Sequence, residues 1–178
     1  MRLFACLPAG SLLQASWCRC FAAVRIELSP MNSPFSHLEG GEARMVSVSH
    51  KPVQARVAEA RCALSCQPST LVALREHALP KGDVLAVARV AGIQAAKATA
   101  SLIPLCHPLP LDQVLVDFVL GGECIEVACT VRTGAKTGVE MEALTGASVT
   151  ALTLYDMLKS ADKTMSINNL RVVRKEKV

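Results

Sequence analysis

Leu111-Asp112-Gln113-Val114-Leu115-Val116-Asp117-Phe118-Val119-Leu120, followed by Gly121-Gly122 and by Cys124-Ile125-Glu126-Val127-Ala128-Cys129-Thr130-Val131-Arg132, is the stretch that decides the fold. Two runs rich in β-branched and apolar residues flank a glycine pair, and glycine reaches the backbone conformations that a tight antiparallel turn requires. The pattern predicts a hairpin of strands over residues 111–120 and 124–132.

Upstream, Pro80-Lys81-Gly82-Asp83 makes a turn whose aspartate can cap a helix over 84–101, which Pro104 then stops. Downstream, Leu144, Ala147, Ala151, Leu154, Tyr155 and Leu158 recur at helical spacing, predicting a second helix over 143–161 with one apolar stripe. Residues 56–66 and 165–173 read as further strands, 45–48 as a short extra strand and 68–77 as a short helical piece. Strand, helix, two paired strands, helix, strand is the order of an α+β ferredoxin-like sandwich, an antiparallel sheet with both helices packed on one face.

Composition narrows what such a domain does. The chain has 178 residues, 51% hydrophobic and only 3% aromatic, so it can bury a core of Val, Leu, Ile and Ala but offers few stacking platforms for bases. A non-catalytic nucleotide- or RNA-binding module on the same fold is the rival reading. It would need sheet aromatics, and the two hairpin strands, read as central, supply only Phe118. Nucleic acid is thus disfavoured as a partner. The net charge of +4 suits an anionic ligand. No apolar run is long enough to span a bilayer. Eight cysteines form no Cys-x-x-Cys pair, and Cys62, Cys66, Cys124 and Cys129 fall in apolar runs, which predicts core thiols rather than a disulfide frame or a metal site.

Residues 1–34 read as a targeting segment and linker, and 35–178 as the folded domain. Arg2, Arg19 and Arg25 precede the first acid, Glu27, in the manner of an organelle transit peptide, and Pro30 and Pro34 interrupt regular structure. A mitochondrial matrix location follows if that segment is a transit peptide, and a cytoplasmic one otherwise. A secretory signal fits unpaired cysteines poorly.

The chemistry-bearing residues gather in three places. In Leu102-Ile103-Pro104-Leu105-Cys106-His107-Pro108-Leu109, two prolines stiffen the backbone around one histidine, which could shuttle a proton or donate to a phosphate, or could be a satisfied structural group. Cys106 beside it reads most simply as packing. Gly134-Ala135-Lys136-Thr137-Gly138 lacks the full phosphate-loop spacing, yet its amides could hold a phosphate at a helix N-terminus. Beyond it come Glu140, Met141 and Glu142, and fourteen positions after Glu142 comes Asp156 with Lys159 one turn later. The acids could equally complement the helix dipole, and Asp156 with Lys159 could be a surface ion pair. Lys81, placed before a helix N-terminus against its electrostatic interest, is a further candidate. At about 1.5 Å per residue an unbroken helix holds Glu142 and Asp156 roughly 21 Å apart, too far to serve one small molecule. If both ends act in one reaction, a second copy must complete the site.

Residues 102–109, 136–145 and 151–159, in that order, closely resemble the molybdenum cofactor biosynthesis protein C family, cyclic pyranopterin monophosphate synthase. Met45-Val46-Ser47-Val48-Ser49, Lys81-Gly82-Asp83 and residues 91–97 add to the resemblance, which covers about 35–175. It implies conversion of (8S)-3',8-cyclo-7,8-dihydroguanosine 5'-triphosphate to cyclic pyranopterin monophosphate with release of pyrophosphate. It also implies a homohexamer, a trimer of dimers with sites between subunits. No redox step, metal site or bound cofactor is implied, although Mg2+ could accompany the triphosphate. The family's functional residues match at Lys81, His107, Glu140, Glu142, Asp156 and Lys159. Arg56 and Lys175 are expected as further triphosphate ligands, and Cys106 and Met141 lie within the matching substrate motifs. Lys81 and Lys159 are expected as acid and base with Asp156 as their partner, since rebuilding a ring system needs proton transfers. The chain departs from the family in two places: Ser47 stands where an acid is usual, and no glycine-rich tail follows Lys175.

Overall fold

The computed structural model describes residues 38–39, 42–76 and 82–177. Strands β1 (Leu38–Glu39) and β2 (Glu42–Ala43) pair with each other, followed by β3 (Gln54–Ser65) and the short helix α1 (Pro68–Arg75). Helix α2 (Val84–Lys97) and the single turn α3 (Thr99–Leu102) lead to β4 (Gln113–Leu120) and β5 (Cys124–Ala135). Helix α4 (Glu140–Leu158) and strand β6 (Ser166–Lys177) complete the chain order.

The four long strands form one antiparallel sheet in the order β4-β5-β3-β6. Each long crossover therefore skips a strand, as the ferredoxin-like reading requires. The predicted hairpin is present with Leu120 opposite Ile125, and Gly121, Gly122 and Glu123 make the connection. Arg75 at the end of α1 clamps that turn, donating to the carbonyls of Leu120 (3.2 Å) and Gly121 (2.8 Å).

Both long helices lie on one face. Ala58, Ala60, Cys62 and Leu64 of β3 and Ile125, Val127, Cys129 and Val131 of β5 point into the core, where they meet Ala143, Ala147, Ala151, Leu154 and Leu158 of α4. The side chains between helices and sheet are small, so the backbones approach closely. A Cβ on Gly92 of α2 would run into Thr150 Oγ1, and one on Gly146 would lie 2.6 Å from Cys129 Sγ. Cys62, Cys66, Cys124 and Cys129 are buried free thiols, as their apolar setting predicts. Burial pushes the Cys129 thiol up to about 12 and that of Cys62 up to about 11.

Several expectations need correction. Residues 45–48 are no strand; they run without ladder partners beside the cleft described below, and the short upstream strands β1 and β2 pair only with each other. The first helix breaks at Ala98, where Thr99 turns its hydroxyl back to the carbonyls of Ala95 and Ala96. The second helix begins at Glu140 rather than 143, because Val139 is fully buried and anchors the N-terminus, with Ala143 N donating to its carbonyl at 3.1 Å. Strand β5 runs on through Gly134 and Ala135, which pair with Ala55 and Gln54, so these two residues belong to the ladder and not to a phosphate loop. Strand β4 is an edge strand and not a central one.

Candidate active site

The second helix starts where the sheet ends, and that junction makes the floor of a cleft of about 550 Å³. Thr137, Gly138, Glu140, Met141 and Glu142 come from the β5–α4 junction, and Ile103, Leu105, Cys106, His107 and Leu109 from the proline-bounded loop. Val46, Val48 and Lys51 form the third wall. The loop is held at both ends. Ile103 N donates to Thr99 O (2.9 Å) and Cys106 N to Ile103 O (3.1 Å), while Thr133 Oγ1 of β5 donates to Pro110 O. Side chains between these anchors are presented with little conformational freedom.

Glu142 is 4% exposed, and burial first, then the neighbouring Glu140, pushes its carboxyl above the usual range against the pull of its own backbone N–H. The half-buried Cys106 thiol is raised as well, by burial and then by Glu142. Glu140, at the first position of the helix, pairs with Lys175 Nζ from β6. Arg56 shares a face with Ala58, whose cross-strand partner is Lys175, so the two cations occupy neighbouring strands on the helix side of the sheet. Arg56 Nη2 donates to Gln54 Oε1 (3.2 Å), whereas its Nε is buried with no hydrogen-bond partner, a donor that an anionic oxygen would satisfy.

The other candidate pair does not join this cluster. Helix α4 is continuous from Glu140 to Leu158, so the separation of roughly 21 Å between Glu142 and Asp156 holds. There Lys159 Nζ and Asp156 Oδ1 are 2.6 Å apart, their side chains 56% and 62% exposed. The hydrogen bond and charge of Asp156 hold the Lys159 ammonium above its ordinary pKa, so in the single chain it keeps its proton. Lys81 lies outside the described residues. Of the sequence candidates, then, Cys106, His107, Glu140, Met141 and Glu142 line one cleft, Lys175 reaches it through Glu140, and Asp156 and Lys159 stand at the opposite tip of the helix. Lys51, Val46 and Val48 were missed. Val46 and Val48 lie inside the 45–49 motif and Lys51 two residues beyond it, and no periodicity connects that segment to the later loops.

Phe118, the one aromatic of the hairpin, packs on the helix side with the Arg89 guanidinium 5.2 Å from its ring centre. The opposite sheet face around Glu59, Arg61, Asp117, Glu126 and Thr130 has no aromatic among its described residues, which removes the platform an RNA-binding module needs.

The MoaC family pattern matches residues 45–177, a span that contains every element of the cleft. The chain belongs to the MoaC family. Its relatives include a protein of Thermomicrobium roseum that is 55% identical over 143 residues, 79% of this chain and 86% of that one. A protein of Pelobacter propionicus is 52% identical over 145 residues, covering 80% of this chain and 91% of its own length. One of Nostoc sp. is 51% identical over 150 residues, covering 82% and 89%. All three bear the name cyclic pyranopterin monophosphate synthase. Among the described residues of this MoaC-family chain, no helix is long and apolar enough to cross a membrane.

Proposed function

We infer that the chain catalyses the cyclic pyranopterin monophosphate synthase reaction of molybdenum cofactor biosynthesis, a lyase reaction that releases pyrophosphate from the cyclic guanosine-derived triphosphate. The observation that carries this reading is the convergence of two separated motifs, 103–109 and 137–142, on one cleft with a histidine and two acids. His107 is assigned to a phosphate oxygen or a transferring proton, and Glu140, Met141, Glu142 and Cys106 to the ring system. Arg56, with its orphaned Nε, and Lys175 are assigned to the triphosphate. The α-phosphorus accepts an oxygen of the substrate as pyrophosphate leaves, and nearby cations neutralise the charge gathering on the leaving group.

Asp156 and Lys159 act in this scheme from a second copy. A continuous helix cannot fold its two tips round one ligand, and the family's trimer of dimers would bring the tip of one copy to the cleft of another. Exposed Val87, Val90, Leu102 and Leu152 on the helix layer support burial against another chain. Packed there, Lys159 would lose hydration, which opposes the rise that Asp156 causes and eases release of its proton; Lys81 is proposed as the opposing base. The scheme uses no resident cofactor, and any Mg2+ would travel with the triphosphate. Bacterial relatives favour a cytoplasmic location over the mitochondrial one for the chain.

Incubation of the purified chain with the cyclic triphosphate tests the reading. Stoichiometric pyrophosphate with the pterin product supports it, and intact substrate after prolonged incubation with a folded protein rejects it.

A further inference from the structure

Lys136 has no place in the scheme above, and neither has Lys51. Residues 44–53 carry no ladder pairing, so the sheet does not place the third wall of the cleft. Within that segment Lys51 N donates to Val48 O at 3.0 Å, closing a turn, and Ser47 and Ser49 hydroxyls lie 3.1 Å apart across it. The carbonyl of Ser49, inside the turn, accepts a hydrogen bond from Lys136 Nζ at 3.0 Å. Lys136 is the first residue after β5, directly before Thr137 and Gly138 on the cleft floor. Its side chain therefore spans from the floor to the opposing wall.

We propose that Lys136 is a positioning residue that clasps the Val48–Lys51 turn and thereby holds Lys51 in the cleft as a ligand for the substrate's phosphate oxygens. This rests on the triphosphate reading of the previous subsection. Lys51 is the one Lys or Arg among the described residues that line the cleft, whose acids are Glu140 and Glu142. A polyphosphate entering beside two carboxylates needs a cation on the wall facing them. A lysine on an unpaired loop supplies it only when the loop is held, because otherwise ordering the segment is subtracted from the binding energy. An ammonium suits the clasp, since its donors reach a backbone carbonyl without needing a carboxylate partner.

The test uses the full chain and the variants Lys51→Gln, Lys136→Gln, Lys136→Arg and the double Lys51→Gln/Lys136→Gln, read well below their melting temperatures. Calorimetry with inorganic triphosphate gives Kd, and pyrophosphate release from the cyclic substrate gives KM and kcat separately. Lys51→Gln should weaken inorganic triphosphate and raise KM about tenfold, the loss of one charge-assisted contact, with kcat within about twofold. Lys136→Gln should raise both constants several-fold, Lys136→Arg should restore them, and the double variant should match Lys51→Gln alone. Additive losses in the double variant, or triphosphate binding unchanged in Lys51→Gln, overturn the proposal. Triphosphate binding that depends on Lys51 in a protein that releases no pyrophosphate would instead reject the reaction and leave the clasp standing.

Discussion

Glu142 shows how a single residue trades stability against chemistry. Its carboxyl is raised in the folded chain, so the folded state binds the proton more tightly than the unfolded one, and stability is lost as the pH rises above the ordinary glutamate range near about 4.3. Glu142→Gln removes that ionisation. Thermal unfolding should show the variant melting several degrees above the parent at about pH 7 and level with it near pH 4. Its pyrophosphate release should fall roughly a hundredfold or more if the carboxyl meets the transition state. At the other helix tip, the raised pKa of Lys159 depends on Asp156. Asp156→Asn should lower turnover by about 10² to 10⁴ and move the alkaline limb of the pH–rate profile to lower pH, because the ammonium loses the charge that holds its proton. An unmoved alkaline limb would detach Lys159 from the reaction.

Elements hold these residues in place through two devices that are easy to break. Helices α2 and α4 touch through Gly92 and Gly146, and Thr150, fully buried, already donates to Gly146 O at 2.7 Å. Gly92→Ala has no free space to enter, so equilibrium unfolding should register a loss of about 1–3 kcal/mol from overpacking. The loop after α4 is fixed by Asp162, 2% exposed, whose carboxylate accepts from Gln67 N (2.7 Å), Thr70 Oγ1 (3.2 Å), Thr164 N (2.8 Å) and Thr164 Oγ1 (2.7 Å). The backbone bond from Gln67 is the largest of the influences that hold its carboxyl below the usual range. A lowered carboxylate contributes stability above its unfolded pKa and loses it as the pH falls through the folded one. Asp162→Ala should therefore cost about 2–3 kcal/mol at neutral pH by chemical denaturation, and the difference from the parent should shrink in acid. The strand expected over 165–173 runs further, to Lys177, and Asn169 at φ 57 lies at one of two register shifts against β3, between the Asn168–Ala63 and Arg171–Arg61 pairs.

At the scale of the molecule, the prediction concerns two broken copies. A His107→Ala chain and an Asp156→Ala chain, each inactive, should regain activity when refolded together, up to about a quarter of the parent rate if copies pair at random. A site contained in one chain leaves the mixture inactive. The hairpin, the two helices and the succession of elements along the chain were legible because each rests on local signals, a glycine pair or a period of two or 3.6 residues. Asp156 beside Lys159, one helical turn apart, was legible for the same reason. By itself the sequence determined the layers of this domain, its core thiols and the rigid distance between the tips of α4. Only the tertiary structure decided that residues 103–109 close over Glu140 and Glu142, that Phe118 turns to the helices, and that a ladder-free turn brings Lys51 to the cleft through Lys136. Those contacts join segments tens of residues apart, and no local propensity encodes which loops meet when a sheet and its helices pack.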